Sequence, residues 1–133
     1  MSSSGSEPTI AELFSLAGRV AIVTGGTGHL GSAMSRALAE AGASVIVTSR
    51  FQENADSAAA ALPVVGKARH HGLALDHMQP ETLEEAFQKA VALAGKVDVL
   101  VNNGHEALGS DWTNGPAEQF SRHLQNATGY FEL

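Results

Sequence analysis

A four-residue apolar run, Val20 to Val23, is followed at once by Thr24 and by glycines at positions 25, 26, 28 and 31. Helical spacing begins directly afterwards, with Leu30, Met34 and Leu38 on one face and Ala33, Ala37 and Ala41 beside them. The stretch reads as a buried strand, a tight turn and a helix. Such a turn leaves backbone N–H groups free at a helix start, where the helix dipole favours an anion. Opening a βαβ unit, it is suited to hold the pyrophosphate of a dinucleotide; a purely structural turn is the alternative. No Lys-Ser or Lys-Thr follows the glycines, so the turn is not a P-loop.

Further candidates stand at the ends of other apolar runs. Thr48-Ser49-Arg50 closes the second run, with no carboxylate before Glu53. An acidic residue there would accept from ribose hydroxyls. Arg50 instead suits a 2′-phosphate, with Ser49 donating a further hydrogen bond, unless Arg50 is simply a solvated surface cation. Asp76 closes the third run, where it can accept from an adenine amino group or cap the turn leading to Gln79-Pro80. Asn102-Asn103-Gly104 closes the fourth run, where the two amides either tie neighbouring loops together or form an ordinary turn. The six histidines do not read as a metal site. His70 and His71 are consecutive on a strand and point to opposite faces, no His-x3-His with a nearby carboxylate occurs, and there is no cysteine.

The elements that must position these residues follow in order. Thr9 caps a short helix, Ile10 to Leu16, expected to pack Leu13 and Phe14 on the body. Strands are predicted at Val20–Thr24, Ser44–Ser49, residues 68–75 and Val97–Val101. Helices are predicted at Leu30–Ala41, Gln52–Leu62, Pro80–Ala94 and from Pro116 onward, with Gly42 and Gly95 as stops and Gly129 weakening the last helix. Residues 104–115, containing Trp112, read as a loop. Strand and helix alternate throughout, which predicts an α/β, Rossmann-like parallel sheet covered on both faces.

Composition is consistent with this. The chain has 133 residues, 44% hydrophobic and 17% charged, enough for one domain, placed at residues 9–133 after a disordered tail at 1–8. A net charge of −6 with eight scattered basic residues argues against a nucleic-acid surface. The absence of cysteine is compatible with a reducing cytoplasm, no run has membrane-spanning length, and the first eight residues lack the pattern of a signal peptide.

Taken together, Thr24-Gly25-Gly26-Thr27-Gly28-His29-Leu30-Gly31, Leu75-Asp76, Asn102-Asn103-Gly104 and Asn126-Ala-Thr-Gly-Tyr-Phe resemble, in order and spacing, the short-chain dehydrogenase/reductase family. The resemblance covers residues from about 14 to the end. It implies a Rossmann fold with strand order 3-2-1-4, an NAD(P)(H) cofactor, and oxidoreduction of an alcohol or carbonyl. It implies that Gly25, Gly26, Thr27, Gly28, Leu30 and Gly31 hold the cofactor, with Asp76 and His77 by the adenine and Asn103 and Gly104 by the adenosine ribose. Asn126 matches the family's active-site asparagine, which holds a water in the proton relay. Arg50 then favours NADP(H) over NAD(H).

Three departures stand out. The glycine spacing, Thr-Gly-x-x-Gly-x-x-Gly, is closer to the family's extended, epimerase-like branch, whereas Asn-Asn-Gly and Asn126 agree with the main branch. His29 and His105 occupy positions that are usually glycine in the main branch. The family's serine and Tyr-x-x-x-Lys are missing from these residues: Tyr130 is the only tyrosine and no lysine follows it. The reading is therefore a cofactor-binding portion, inactive alone, with a non-catalytic dinucleotide-binding or interaction module as the alternative. The fourth strand, left at the sheet edge, is expected to make the chain marginally stable, weak in binding NADP(H) and prone to homo-oligomerise.

Overall fold

The computed structural model describes residues 7–107, 109 and 113–133. Most of the tail expected at 1–8, and Leu108 and Trp112 of the loop expected at 104–115, lie outside the described residues. The strands are β1 (Val20–Val23), β2 (Ser44–Ser49), β3 (His71–Ala74) and β4 (Val99–Val101). The helices are α1 (Ile10–Leu13), α2 (His29–Glu40), α3 (Gln52–Ala60), α4 (Leu83–Ala94) and α5 (Ala117–Glu132), with a 3-10 turn, Pro80–Thr82, leading into α4. All pairings are parallel, in the order β3-β2-β1-β4, as the sequence predicts.

The sheet is covered on both faces, which explains why β1 is apolar at every position and wholly buried. Alternate residues of β2 divide between two cores. Val45 and Val47 join Val23, Ala39 and Ala59 on the α2–α3 side, whereas Ile46 joins Ile22, Leu73 and Ala90 on the α4 side.

β3 and β4 begin later than predicted because side chains replace the ladder at their starts. Before β3, the Val45 N–H donates to His70 Nδ1 (3.1 Å) and the Arg69 N–H to Ser44 Oγ (3.0 Å). His70 Nε2 in turn meets the Pro63 carbonyl at 3.0 Å, so this histidine is fully engaged in tying loop to strand. Before β4, Asp98 Oδ2 accepts the Val20 N–H at 2.8 Å and also pairs with Lys96 at 2.8 Å.

The Lys96 contact, followed by the Val20 N–H, lowers the Asp98 carboxyl from 3.8 to about 2. A depressed folded-state value means that the stabilisation is complete above the ordinary carboxylate range and disappears as the pH falls from about 4 through about 2. Asp98→Asn is expected to remove this component of the acid dependence, checked by circular dichroism of acid unfolding beside the parent chain. An unchanged acid profile would count against the Asp98 staple.

The face that α2 buries is a finding of its own, and two expectations, for Leu13 with Phe14 and for Gly129, are corrected. The buried face of α2 is Gly31, Ser35 and Ala39, while Leu30 is 64% and Met34 39% exposed. Small residues let the helix lie close on β1 and β2, and that proximity outweighs side-chain size in choosing the face. Leu13 and Phe14 are exposed rather than packed; the segment is anchored instead by Leu16, whose N–H donates to the Ala41 carbonyl at 2.8 Å. Gly129 does not weaken α5. It is buried, and a Cβ there would collide with the His77 carbonyl, so glycine is what allows the helix to approach.

Candidate functional site

The strand order reverses direction between β1 and β4, and ligands of open parallel sheets bind outside the carboxyl ends of strands at such a point. A cleft of about 530 Å³ lies there. It is lined by Thr24 and the glycine turn after β1, Ser49 and Arg50 after β2, Leu75 to His77 after β3, and Asn103 to Glu106 after β4. A larger hollow of about 630 Å³ runs along β3 beside Gln52, His71 and Lys89. There the Gln52 amide accepts the Ala74 N–H and donates to the Gly72 carbonyl, covering the strand's free edge. The glycine turn and the strand ends all belong to the smaller cleft, which is the candidate site.

The turn is built by close approach. A Cβ on Gly31 would collide with the Gly25 carbonyl and lie 2.7 Å from Asn103 Nδ2. The Gly28 N–H closes the turn on the Gly25 carbonyl at 3.0 Å, and Gly28 then occupies the N-cap of α2 without any side-chain cap. The first N–H groups of α2 are thus left for a ligand, the arrangement that holds an anion. Gly26 stands apart from the cleft: its N–H donates to the Thr48 carbonyl at 2.9 Å and its α-carbon faces Val47 and Ser35.

Thr24 joins β1 to β4. Its hydroxyl donates to the Val101 carbonyl at 3.2 Å and accepts the Asn103 and Gly104 N–H groups at 2.9 and 2.8 Å. Asn103 Nδ2 returns to the Thr24 carbonyl at 3.0 Å, while Asn102 Nδ2 reaches the Tyr130 carbonyl on α5 at 3.2 Å. The amide pair thus ties loops together, as one of its two sequence readings requires.

At the other rim, Arg50 is exposed and has no ion pair among the described residues. Asp76 lines the cleft, but its two oxygens also accept from the Met78 N–H (3.0 Å) and Gln79 Nε2 (3.2 Å), so it caps the following turn. His77 is buried and lines the same cleft. Of the residues singled out from sequence, Gly25, Thr27, Gly28, Leu30, Gly31, Arg50, Asp76, His77, Asn103 and Gly104 come together here. Asn126 does not line it. It is buried behind, with its Oδ1 on His77 Nε2 (2.8 Å) and on the Glu106 N–H (2.9 Å). Phe51 and Asn54 also line the cleft without having been singled out. Their place one helical turn apart at the start of a helix directly after Arg50 is the sequence signal that points to them.

Comparison with known proteins gives consistent matches. A family model described as short chain dehydrogenase matches residues 19–133. An uncharacterized oxidoreductase of Mycobacterium tuberculosis is 38% identical over 94 residues, which is 71% of this chain and 35% of the relative. A short-chain type dehydrogenase/reductase of Mycobacterium marinum superposes with a TM-score of 0.80 at 26% identity, over 93% of this chain and 49% of that one. RhlG of Pseudomonas aeruginosa, in an NADP active-site complex, gives 0.76 at 31% identity, over 90% and 46%. The chain thus spans about a third of the curated relative's length and about half of each solved chain.

Proposed function

The chain belongs to the short-chain dehydrogenase family, and we propose that it holds NADP(H) in the cleft between β1 and β4, as the cofactor-binding portion of an oxidoreductase acting on an alcohol or carbonyl. The observation that carries this reading is the uncapped start of α2 beside the glycine turn, facing the same cleft as an unpaired Arg50. A pyrophosphate takes the α2 N–H groups, and a 2′-phosphate takes the Arg50 guanidinium with Ser49. Asp76, His77, Asn103 and Gly104, which line the same cleft, would hold the adenosine half. The bound nicotinamide supplies or accepts a hydride; the chain's own residues bind and orient it, and Asn126 supports the proton relay through its place on α5.

Arg50→Ala tests the cofactor assignment. Losing a charge-assisted phosphate contact of about 1.5–3 kcal/mol is expected to weaken NADPH binding by about ten- to a hundredfold and leave NADH unchanged. An equal loss for both cofactors would remove the Arg50 assignment.

One observation favours a second reading, a non-catalytic dinucleotide-binding module. Tyr130 stacks on the buried His77 at 5.2 Å between ring centroids, which commits this tyrosine to packing between α5 and the cleft wall. Turnover of any carbonyl substrate by the 133-residue chain would exclude that reading. No helix among the described residues is long and apolar enough to cross a membrane. The cytoplasm is the proposed location, and association through the open edge of β4, where Leu100 is 41% exposed, the proposed route to an oligomer.

A further inference from the structure

His77 makes three contacts with α5. Its Nε2 meets Asn126 Oδ1 at 2.8 Å, its ring stacks on Tyr130 at an interplanar angle of 17°, and its carbonyl lies against the α-carbon of Gly129. The direction of the first contact is fixed by its neighbours. A backbone N–H can only donate, so the Asn126 atom 2.9 Å from the Glu106 N–H is the amide oxygen. Asn126 Nδ2, on the other side, faces the Glu106 carbonyl at 3.4 Å, which can only accept. With the amide so oriented, His77 Nε2 must carry the proton that Asn126 Oδ1 receives. In the neutral ring Nδ1 then keeps its lone pair. Among the described residues no protein group hydrogen-bonds Nδ1, and it lies 3.3 Å from where a side chain on Gly104 would begin, at the floor of the cleft.

We infer that His77 is a positioning residue that joins the nucleotide cleft to α5: Nε2–H holds the Asn126 amide oxygen, and Nδ1 offers an acceptor to a hydroxyl or amino group of the adenosine half. This rests on the dinucleotide reading of the cleft. It adds a side-chain contact through which occupation of the adenosine end bears on the residue that supports the proton relay. Asp76, its oxygens already turned onto Met78 and Gln79, leaves His77 as the neighbouring side-chain acceptor.

The test uses the full chain labelled with 15N-histidine, observed by two-bond 1H–15N spectra while titrated with NADPH, adenosine 2′,5′-bisphosphate, or reduced nicotinamide mononucleotide. His77 is assigned by loss of its signals in His77→Gln. The expected result is the Nε2–H tautomer in the free chain, and a shift of the Nδ1 resonance with NADPH and the bisphosphate but not with the mononucleotide. The neutral Nδ1–H tautomer in the free chain, which leaves Nε2 without a proton, overturns the Asn126 contact. Bisphosphate binding that leaves Nδ1 unmoved overturns the adenosine contact while sparing the dinucleotide reading. Failure of all three ligands to bind overturns that reading and the adenosine contact with it, and the tautomer still decides the Asn126 contact. His77→Gln, which keeps a donor for Asn126, is expected to weaken NADPH and the bisphosphate alike by about three- to tenfold, one hydrogen bond's worth.

Discussion

Thr24→Val is expected to cost about 2–4 kcal/mol of folding stability, although valine has nearly the shape of threonine. Thr24 is 1% exposed, so no water replaces its hydroxyl. The Asn103 N–H keeps a second acceptor, the Val101 carbonyl at 3.1 Å. Among the described residues the Gly104 N–H has only Thr24 Oγ1, at 2.8 Å, and would be buried without a partner there. An orphaned buried donor costs about 1–3 kcal/mol, and the net loss of the remaining bonds adds about 1 kcal/mol. Urea denaturation measures the difference. Thr24→Ser retains the oxygen and is expected to recover most of the loss; a Thr24→Val chain as stable as the parent would remove Thr24 as the joint between β1 and β4.

Gly31→Ala is expected to act on binding as well as on folding. The added methyl would enter the space of the Gly25 carbonyl and of Asn103 Nδ2. Neither yields freely, because that carbonyl accepts from the Gly28 N–H at 3.0 Å and from Asn103 Nδ2 at 3.3 Å. Overpacking of this kind costs about 1–3 kcal/mol. If the displaced turn must be restored before a pyrophosphate can use it, the same energy weakens NADPH binding by about five- to 150-fold. Parallel urea and fluorescence titrations separate the two effects. Unchanged NADPH affinity in a destabilised chain would show that the turn is structural only.

The fold was legible because its signals are local and repeated. Val20–Val23 and Ser44–Ser49 announce buried parallel strands, and Gly42 and Gly95 stop helices where the pattern stops. What was not legible came from proximity. Leu30 and Met34 share an apolar face of α2 with Leu38, but of the three Leu38 alone packs on the core, beside the buried Gly31, Ser35 and Ala39. Gly129 resembles a helix breaker because nothing in the sequence says that the His77 carbonyl lies against it. The candidate site was read more fully than the packing, since its residues cluster at strand ends that chain order alone brings to one edge. Asn126 is the instructive case. Its spacing placed it on the right helix, but its bonds to His77 and Glu106 join segments 49 and 20 residues away, beyond the reach of any local pattern.

The most direct test of the central claim, that this cleft holds a phosphorylated nicotinamide dinucleotide, is equilibrium titration of the chain with NADPH and with NADH, followed by nicotinamide fluorescence. Saturable binding is expected for NADPH, tighter than for NADH by about tenfold or more, the worth of one charged contact to the 2′-phosphate. Saturable binding of neither cofactor to the folded chain would contradict it.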